Sequence, residues 1–404
     1  MPSAAGTDTR PLWLVLHGSA EWYGSDKVLL ATMAALRDDP AFRPVIVLHE
    51  DGPLRAALVA AGLEVHVAGV TKIRRALFTP VGVLQLPGQL AATCRALDAV
   101  AAGRRVGLVY SNTLAVLGGA VWAWRRRGPH LWHVHEILLH PALVRRGLPR
   151  LAAWASGHVL ANSRQTQAWL EREAPSLAGR VSTVFNGLGP VPAPDAASAA
   201  AAAAVRARLG LRDGDVLATL AGRINAWKGQ DLLIEALARL AAAPGGPPLH
   251  VAIVGDVFAG QEALRERLHA QVAAAGLGTH VHFLPFVADI WPVWRASDIA
   301  VVPSTEPEPF GMVAIEAMAC GLPVVAAAHG GLLDIVEPEA TGLLFTPRSA
   351  VALADALARL AADAALRQRL GAAGAARQAR HFSLAAQVAQ TRTAGLALMQ
   401  GEGA

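Results

Sequence analysis

Cysteine is scarce: 404 residues hold two, Cys94 and Cys320. They are too few and too far apart for a disulfide framework, which excludes a small stapled secreted scaffold and points to a reducing compartment. No uncharged apolar run approaches the ~20 residues needed to cross a bilayer. The opening stretch, MPSAAGTDTRP, is polar and has no basic region followed by an apolar one. No export signal is read there, and a cytoplasmic location is expected. Neither G-x-G-x-x-G nor G-x-x-x-x-G-K-[ST] occurs in a strand–helix setting, which weakens dehydrogenase and ATPase readings. H-E-x-x-H is missing, and the only acidic pair of note, RDDP at 37–40, follows a helix. No repeat of solenoid period is apparent.

What is present is a folded, turn-rich chain, 53% hydrophobic and 17% charged, with 38 Gly and 25 Pro. Its length suits two domains rather than one core. The net charge of +5 is uneven. Residues 1–190 carry 20 Lys and Arg against 12 Asp and Glu, and residues 191–404 carry 16 against 19. A basic half suits an acidic partner such as a nucleotide, a lipid phosphate or a membrane surface. An Arg-rich compositional bias explains it as well.

Short β-like runs alternate with helix-period segments throughout. The first half offers LWLVLH, FRPVIVLHE, LEVHVAG, VGLVYSN, HLWHVHE, GHVLANS and RVSTVFNG; the second offers DVLATLAGR, PLHVAIVGD, HVHFLPF, DIAVVPST, LPVVAAA and TGLLFTP. Continuous apolar strands interleaved with helices such as KVLLATMAALRD and DLLIEALARLAAA read as parallel sheets covered on both faces, an α/β fold of two doubly wound domains. The stretch 189–210, GPVPAPDAASAAAAAAVRARLG, breaks the alternation with a Pro-rich linker and an Ala run that opens a helix. The expected division is an N-terminal domain 1–192, a linker and helix start 193–209, a C-terminal domain 210–380 and a terminal helix 381–404. Ligands are expected at the carboxyl ends of the strands, in a cleft between the two domains.

The segment DIAVVPSTEPEPFGMVAIEAMACGLPVVAA reads as a strand (299–303), a loop (304–310) and a helix (about 312–320) closed by Gly321, with Pro323 opening another strand. Glu308 lies at the helix entrance and Glu316 one turn inside, an E-x7-E spacing. The amides of Gly311, Met312 and Val313 make an anion seat. Acidic groups on both sides of such a seat suit a ligand with hydroxyls flanking its phosphates, as in a nucleotide sugar. In LAGRINAWKGQDLL, Arg223 ends a strand and Lys228 sits in a tight loop closed by Gly229. Taken alone, an Arg and a Lys in a loop are more often solvated surface groups.

In the first half, HLWHVHEILLHP ends a strand with His133 and His135 on one side and Glu136 on the other. A metal site needs a third convergent ligand, and none is indicated. Asn112, Thr113 and Ser163 end two further strands, where capping is the ordinary role. The turn HGSAEWYGSDKVLL joins the first strand to the first helix. TKIRRALFTP (71–80) and WAWRRRG (122–128) are basic, aromatic stretches suited to a headgroup-facing surface or to ordinary solvated loops.

AGRINAWKG, VGD, FLPF, SDIAVVPS and EPFGMVAIEAMACGLPVVA follow one another through most of 216–346. Together they resemble the C-terminal half of the family 4 retaining glycosyltransferases, whose arrangement of two Rossmann-like domains is called GT-B. HFSLAAQVAQTRTAGLALMQ is similar to that family's terminal helix, which crosses back onto the first domain. The resemblance implies that Arg223 and Lys228 grip a donor diphosphate and that Glu308 binds hydroxyls of the transferred sugar. It places the amides of Phe310, Gly311, Met312 and Val313 against sugar and phosphate, Glu316 on the ribose, and Pro285 and Phe286 against the base. Gly255 would hold the family's glycine loop, where Val257 stands in place of a second glycine. His135 matches the His that reaches the donor sugar and the reaction centre, and Asn112 would line the cleft. In the first turn Tyr23 replaces a glycine, Gly24 keeps one, Ser25 would cap the helix and Asp26 stands for a Glu. Tyr23, Lys72, Arg74 and Arg75 would form the acceptor side.

The activity so implied is transfer of a sugar from a nucleotide-diphosphate sugar to a hydroxyl with retention, without a metal or other cofactor. The expected acceptor is a lipid-linked saccharide or a growing polysaccharide of the bacterial surface. Peripheral contact with the inner membrane goes with that acceptor, and nucleic acid is not an expected partner. A GT-B sugar-nucleotide epimerase and a catalytically inactive GT-B scaffold subunit are the alternatives.

Overall fold

All thirteen apolar runs become strands in the computed structural model, which describes residues 8–22, 24–73, 77, 79–242 and 249–401. The first sheet holds β1 (Leu12–His17), β2 (Arg43–Leu48), β3 (Glu64–Val67), β4 (Val106–Ser111), β5 (His130–Val134), β6 (His158–Ala161) and β7 (Val181–Thr183). Its order is β3-β2-β1-β4-β5-β6-β7. The second holds β8 (Val216–Ala221), β9 (Leu249–Val254), β10 (Val281–Leu284), β11 (Ile299–Val302), β12 (Val324–Ala327) and β13 (Gly342–Phe345), in the order β10-β9-β8-β11-β12-β13. Neighbours pair in parallel throughout. The order reverses between β1 and β4 and between β8 and β11. In doubly wound sheets such a switch opens the crevice where ligands lodge.

The chain divides into two compact units, one running to Gly187 and resuming at Leu384, the other spanning Leu188–Ser383. The break thus falls at Gly187, not near residue 192. The Ala run opens helix Ala196–Arg208, after the Pro-rich stretch. Asp195 caps it by accepting from the Ser198 amide at 2.8 Å. Arg206 fastens it to the second unit through the Ala296 and Asp215 carbonyls, at 2.8 and 2.6 Å. An Ala-rich helix carrying such an anchor belongs with the domain that follows it.

The crossover helix, Leu384–Gln400, packs into the first unit. Gln387 donates to Thr32 Oγ1 at 3.0 Å and accepts from the Gly187 amide at 2.6 Å, and Arg392 pairs with Asp39. Gly395 is required where the helix crosses Trp13, since a Cβ there would lie 2.2 Å from the indole. Trp13 in turn stacks on Phe42 with ring centroids 3.7 Å apart. Among the described residues no helix is long and apolar enough to cross a membrane.

Candidate active site

In the second unit the strand ends are drawn together by glycines. Gly222 and Gly255, just beyond β8 and β9, adopt φ of 149° and 142°. A Cβ on Gly255 would stand 2.1 Å from the Gly222 carbonyl, so the two loops touch backbone to backbone. Val257 fits here because Asp256, accepting from the Val257 amide and from Arg265 at 3.0 Å each, closes the turn that a second glycine would have loosened. Arg223 follows Gly222, and its guanidinium lies over the Phe258 ring at 3.3 Å. Cation–π contact of this kind fixes a cation without neutralising it.

Asn225 builds the next loop by accepting from the Trp227 and Lys228 amides at 3.1 and 3.0 Å. Gly229 ends that loop at φ 77°, where a Cβ would meet the Pro303 carbonyl at 2.1 Å. Lys228 is thereby aimed across to β11, where its ammonium pairs with Glu308 and lies 4.5 Å over the Trp227 ring. Glu308 is 4% exposed. It also accepts from the Ser304 hydroxyl at 3.0 Å. Its peptide is clamped from β12 by Gly330 and Gly331. The Gly331 amide donates to the Glu308 carbonyl at 2.7 Å, and a Cβ on Gly330 (φ 62°) would lie 2.2 Å from the same oxygen. His329 donates to the Ser304 carbonyl at 2.7 Å, and burial pushes its imidazole down toward the neutral form.

Helix Met312–Ala319 opens at Gly311, whose φ of 118° leaves room for Leu332. The amides of its first turn have no carbonyl within the helix to bind. Phe310 is buried edge-on to Phe382. Glu316 lies on the same helix, half-buried, with the Trp294 indole N–H 3.4 Å away. Pro285 and Phe286 are exposed beyond β10. The carboxyl ends of β8, β9, β10 and β11 therefore gather the sequence-predicted Arg223, Lys228, Gly255, Pro285, Phe286 and Glu308, and the Met312–Ala319 helix adds its first turn and Glu316. Sequence reasoning missed Phe258 and the Gly330–Gly331 clamp. A Gly-Gly pair following a buried strand was the available signal for the clamp.

In the first unit, β1, β4 and β5 are neighbours, and a polar residue leaves the end of each. His17 closes β1, Asn112 follows β4 and His135 follows β5. His17 Nε2 meets Asp26 Oδ1 at 2.8 Å, and His17 Nδ1 meets Asn112 Nδ2 at 3.1 Å. Asn112 Oδ1 meets His135 Nε2 at 3.0 Å. Burial, reinforced by His133 and then His17, holds the His135 imidazole well below its usual range, so the ring is neutral. Glu136 turns the other way, accepting from the Thr113 hydroxyl and the Leu114 and His135 amides. Burial pushes its carboxyl up against the pull of those bonds.

Other expectations change. Helix Gly24–Leu36 starts at Gly24, so Ser25 lies inside the first turn and is not the cap. Asp26 is 1% exposed and spends its carboxylate on His17. Lys72 turns inward, donating to the Gly18 carbonyl at 2.7 Å and pairing with Glu50 at 3.0 Å, so its charge is committed within the fold. Ser163 caps helix Arg164–Glu173 by accepting from the Thr166 amide at 3.0 Å. Tyr23, Arg74 and Arg75 lie outside the described residues. Among the described residues no three His, Cys, Asp or Glu side chains converge as a metal site.

The family described as "Glycosyl transferases group 1" matches residues 202–377. A D-inositol 3-phosphate glycosyltransferase of Streptomyces bingchenggensis is 33% identical over 324 residues, 74% of this chain and 68% of that protein. The chain belongs to the group 1 glycosyltransferases. A Stackebrandtia nassauensis protein of the same name is 41% identical over 182 residues, which span 44% of this chain and 41% of the relative's length. Among solved structures, Anabaena HepE in complex with UDP-glucose superposes with a TM-score of 0.78 at 28% identity, covering 95% of this chain and 99% of that one. The architecture of this group 1 chain is GT-B. The Streptomyces and Stackebrandtia relatives are named D-inositol 3-phosphate glycosyltransferases, whereas the sequence suggested assembly of a surface polysaccharide.

Proposed function

We propose that the chain transfers a sugar from a nucleoside-diphosphate sugar, with a uridine nucleotide the first candidate, to an acceptor hydroxyl with retention of configuration. The observation that carries this reading is the gathering of Arg223, Lys228 and the Met312–Ala319 helix N-terminus at the strand ends of a group 1 glycosyltransferase. Two cations about 4 Å from a diphosphate each contribute several kcal/mol at an effective dielectric near 20. They and the helix amides stabilise the charge that develops on the leaving diphosphate, the task a divalent metal performs elsewhere. Glu308 takes sugar hydroxyls, Glu316 takes the ribose, and Pro285 and Phe286 lie against the base. His135 is assigned to the transferred sugar. The buried carboxylate near the diphosphate seat, Glu308, is engaged with Lys228 and Ser304. That favours departure and attack on one face over a covalent glycosyl-enzyme.

For the acceptor, a polyol phosphate is suggested by relatives named for inositol phosphate. A lipid-linked saccharide is the second reading, favoured by a specific surface. Trp124 and Trp154 are 59% and 63% exposed with rings 5.7 Å apart, and Leu143 is 73% exposed. The helices that bear them, Leu117–Arg126 and Ala142–Ala155, also expose Arg125, Arg146 and Arg150, with Arg126 paired to Asp98. Each cation near an anionic leaflet adds about 1 kcal/mol of attraction.

The test incubates the protein with UDP-, GDP- and ADP-sugars and with inositol phosphate or lipid-linked acceptors in EDTA, and reads the product's anomeric configuration by NMR. A retained linkage in EDTA supports the proposal, and an inverted one refutes its stereochemistry. Epimerised donor without acceptor would establish the epimerase instead. Inertness toward every donor would leave a scaffold subunit. Sedimentation with anionic vesicles that weakens in a Trp124→Ser, Trp154→Ser variant supports the lipid-linked reading, and unchanged or absent binding removes its structural support.

A further inference from the structure

The hydrogen bonds that join Asp26 to His135 carry a direction, and it is set at the end remote from His135. A carboxylate only accepts, so the proton on the 2.8 Å contact with Asp26 belongs to His17 Nε2. The group that meets His17 Nδ1 is the NH2 of Asn112, at 3.1 Å, and an NH2 facing a ring nitrogen needs an acceptor, so Nδ1 presents its lone pair. With its NH2 so committed, Asn112 turns its carbonyl to His135 Nε2 at 3.0 Å, and a carbonyl cannot donate. The proton of neutral His135 is therefore on Nε2.

The reverse sense fails at the far end. It would turn the Asn112 NH2 toward His135 Nε2 and move that ring's proton to Nδ1, which is buried with no hydrogen-bond partner. An orphaned buried N–H is costlier than an orphaned lone pair on an imidazole. Both ends of the chain thus select one polarity, with His17 2%, Asp26 1% and Asn112 2% exposed along it. The other titratable groups beside His135 do not compete for Nε2. His133 packs its ring 4.1 Å away and binds Tyr110 through Nδ1, and Glu136 takes the His135 backbone amide.

We propose that Asp26 and His17 are positioning residues that, through Asn112, lock the tautomer and ring orientation of His135. The functional half of this inference rests on the reading that His135 serves a glycosyl-transfer reaction, and the structural half does not. An imidazole held by one directed bond presents the same edge to every substrate, in the way a buried carboxylate orients a catalytic histidine in other enzymes.

The test labels the full chain with 15N-histidine and assigns His135 by loss of its signals in His135→Gln. The wild type is expected to show His135 in the Nε2–H form alone. His17→Gln, whose amide can donate to Asp26 and accept from Asn112, keeps that form and kcat within about threefold. Asp26→Asn, a neutral isostere, mixes the His135 tautomers and lowers kcat about tenfold, the weight of one charge-assisted hydrogen bond. UDP affinity, which reports on the second unit, stays within about twofold in both and shows that the variants are folded. A wild-type His135 protonated on Nδ1, or an Asp26→Asn spectrum identical to the wild type's, overturns the lock. A mixed spectrum with unchanged kcat overturns its functional half. If the wild type turns over no nucleotide sugar, the glycosyl-transfer reading fails while the spectra still decide the lock.

Discussion

Replacing Lys228 by Met removes the cation beside Glu308 and keeps the apolar stem. The two partners are unequal, for the Glu308 side chain is 5% exposed and that of Lys228 19%. Without Lys228 the buried carboxylate faces the Ser304 hydroxyl, one neutral donor in place of an ammonium. Breaking a fully buried pair costs about 3–5 kcal/mol, and the partial exposure of Lys228 brings the expectation to about 2 kcal/mol. For a unit of this size that is a fall in Tm of about 4–8 °C. Glu308→Gln should cost less than about 1 kcal/mol, because the ammonium keeps water and the Trp227 face 4.5 Å away. The double variant should be more stable than Lys228→Met, with a coupling of about 1–2 kcal/mol. Calorimetry gives the stabilities and titration with UDP the affinities. UDP binding should fall at least tenfold in Lys228→Met and stay within about threefold in Glu308→Gln, which should instead lose turnover. Equal destabilisation by the two single variants would refute the asymmetry. Unaltered UDP affinity in Lys228→Met would refute the assignment of Lys228 to the diphosphate.

Gly330→Ala forces a Cβ to within 2.2 Å of the Glu308 carbonyl at a φ of 62°. It should displace the Glu308 loop and lower kcat at least tenfold with little change in UDP affinity, a split read from steady-state kinetics and titration. Burial holds His130 and His133 down to about 3, against an ordinary value of 6.5. The unfolded chain therefore binds protons that the folded chain does not, so the stabilisation is complete above pH 6.5 and lost as pH falls toward 3. Urea unfolding at pH 7.5 and 5.5 should differ by about 2–3 kcal/mol from these two groups, the folded state being weaker in acid. Equal midpoints at the two pH values would contradict the burial of neutral rings.

The strands were legible because buried parallel strands demand unbroken apolar runs, and several runs ended in a residue whose chemistry did not belong in a core. That placed Arg223, Asn112 and His135 at strand ends and Glu308 in a loop at a helix entrance. Sequence order does not say which ends are neighbours. β1, β4 and β5 become adjacent only through the switch in strand order, so the contact of His17 with Asn112, 95 residues away, was beyond a linear reading. The contacts of Lys72 were out of reach for a related reason. Its partners, the Gly18 carbonyl and Glu50, come from two other loops that a linear reading does not bring beside it. The Gly330–Gly331 clamp escaped because close backbone approach is a property of two segments, and the sequence shows only one of them at a time. In 193–209 the Ala run announced the helix, but the unit that the helix joins depends on the partners of Arg206, which lie far along the sequence.

The proposed function requires the second unit to recognise a nucleotide through its diphosphate. Calorimetric titration of the full chain with UDP, UMP and uridine tests it most directly. UDP should bind at least a hundredfold more tightly than uridine, with UMP between them, and Arg223→Ala together with Lys228→Ala should erase most of that difference. Uridine binding as tightly as UDP, or a preference for UDP undiminished in the double variant, would contradict it.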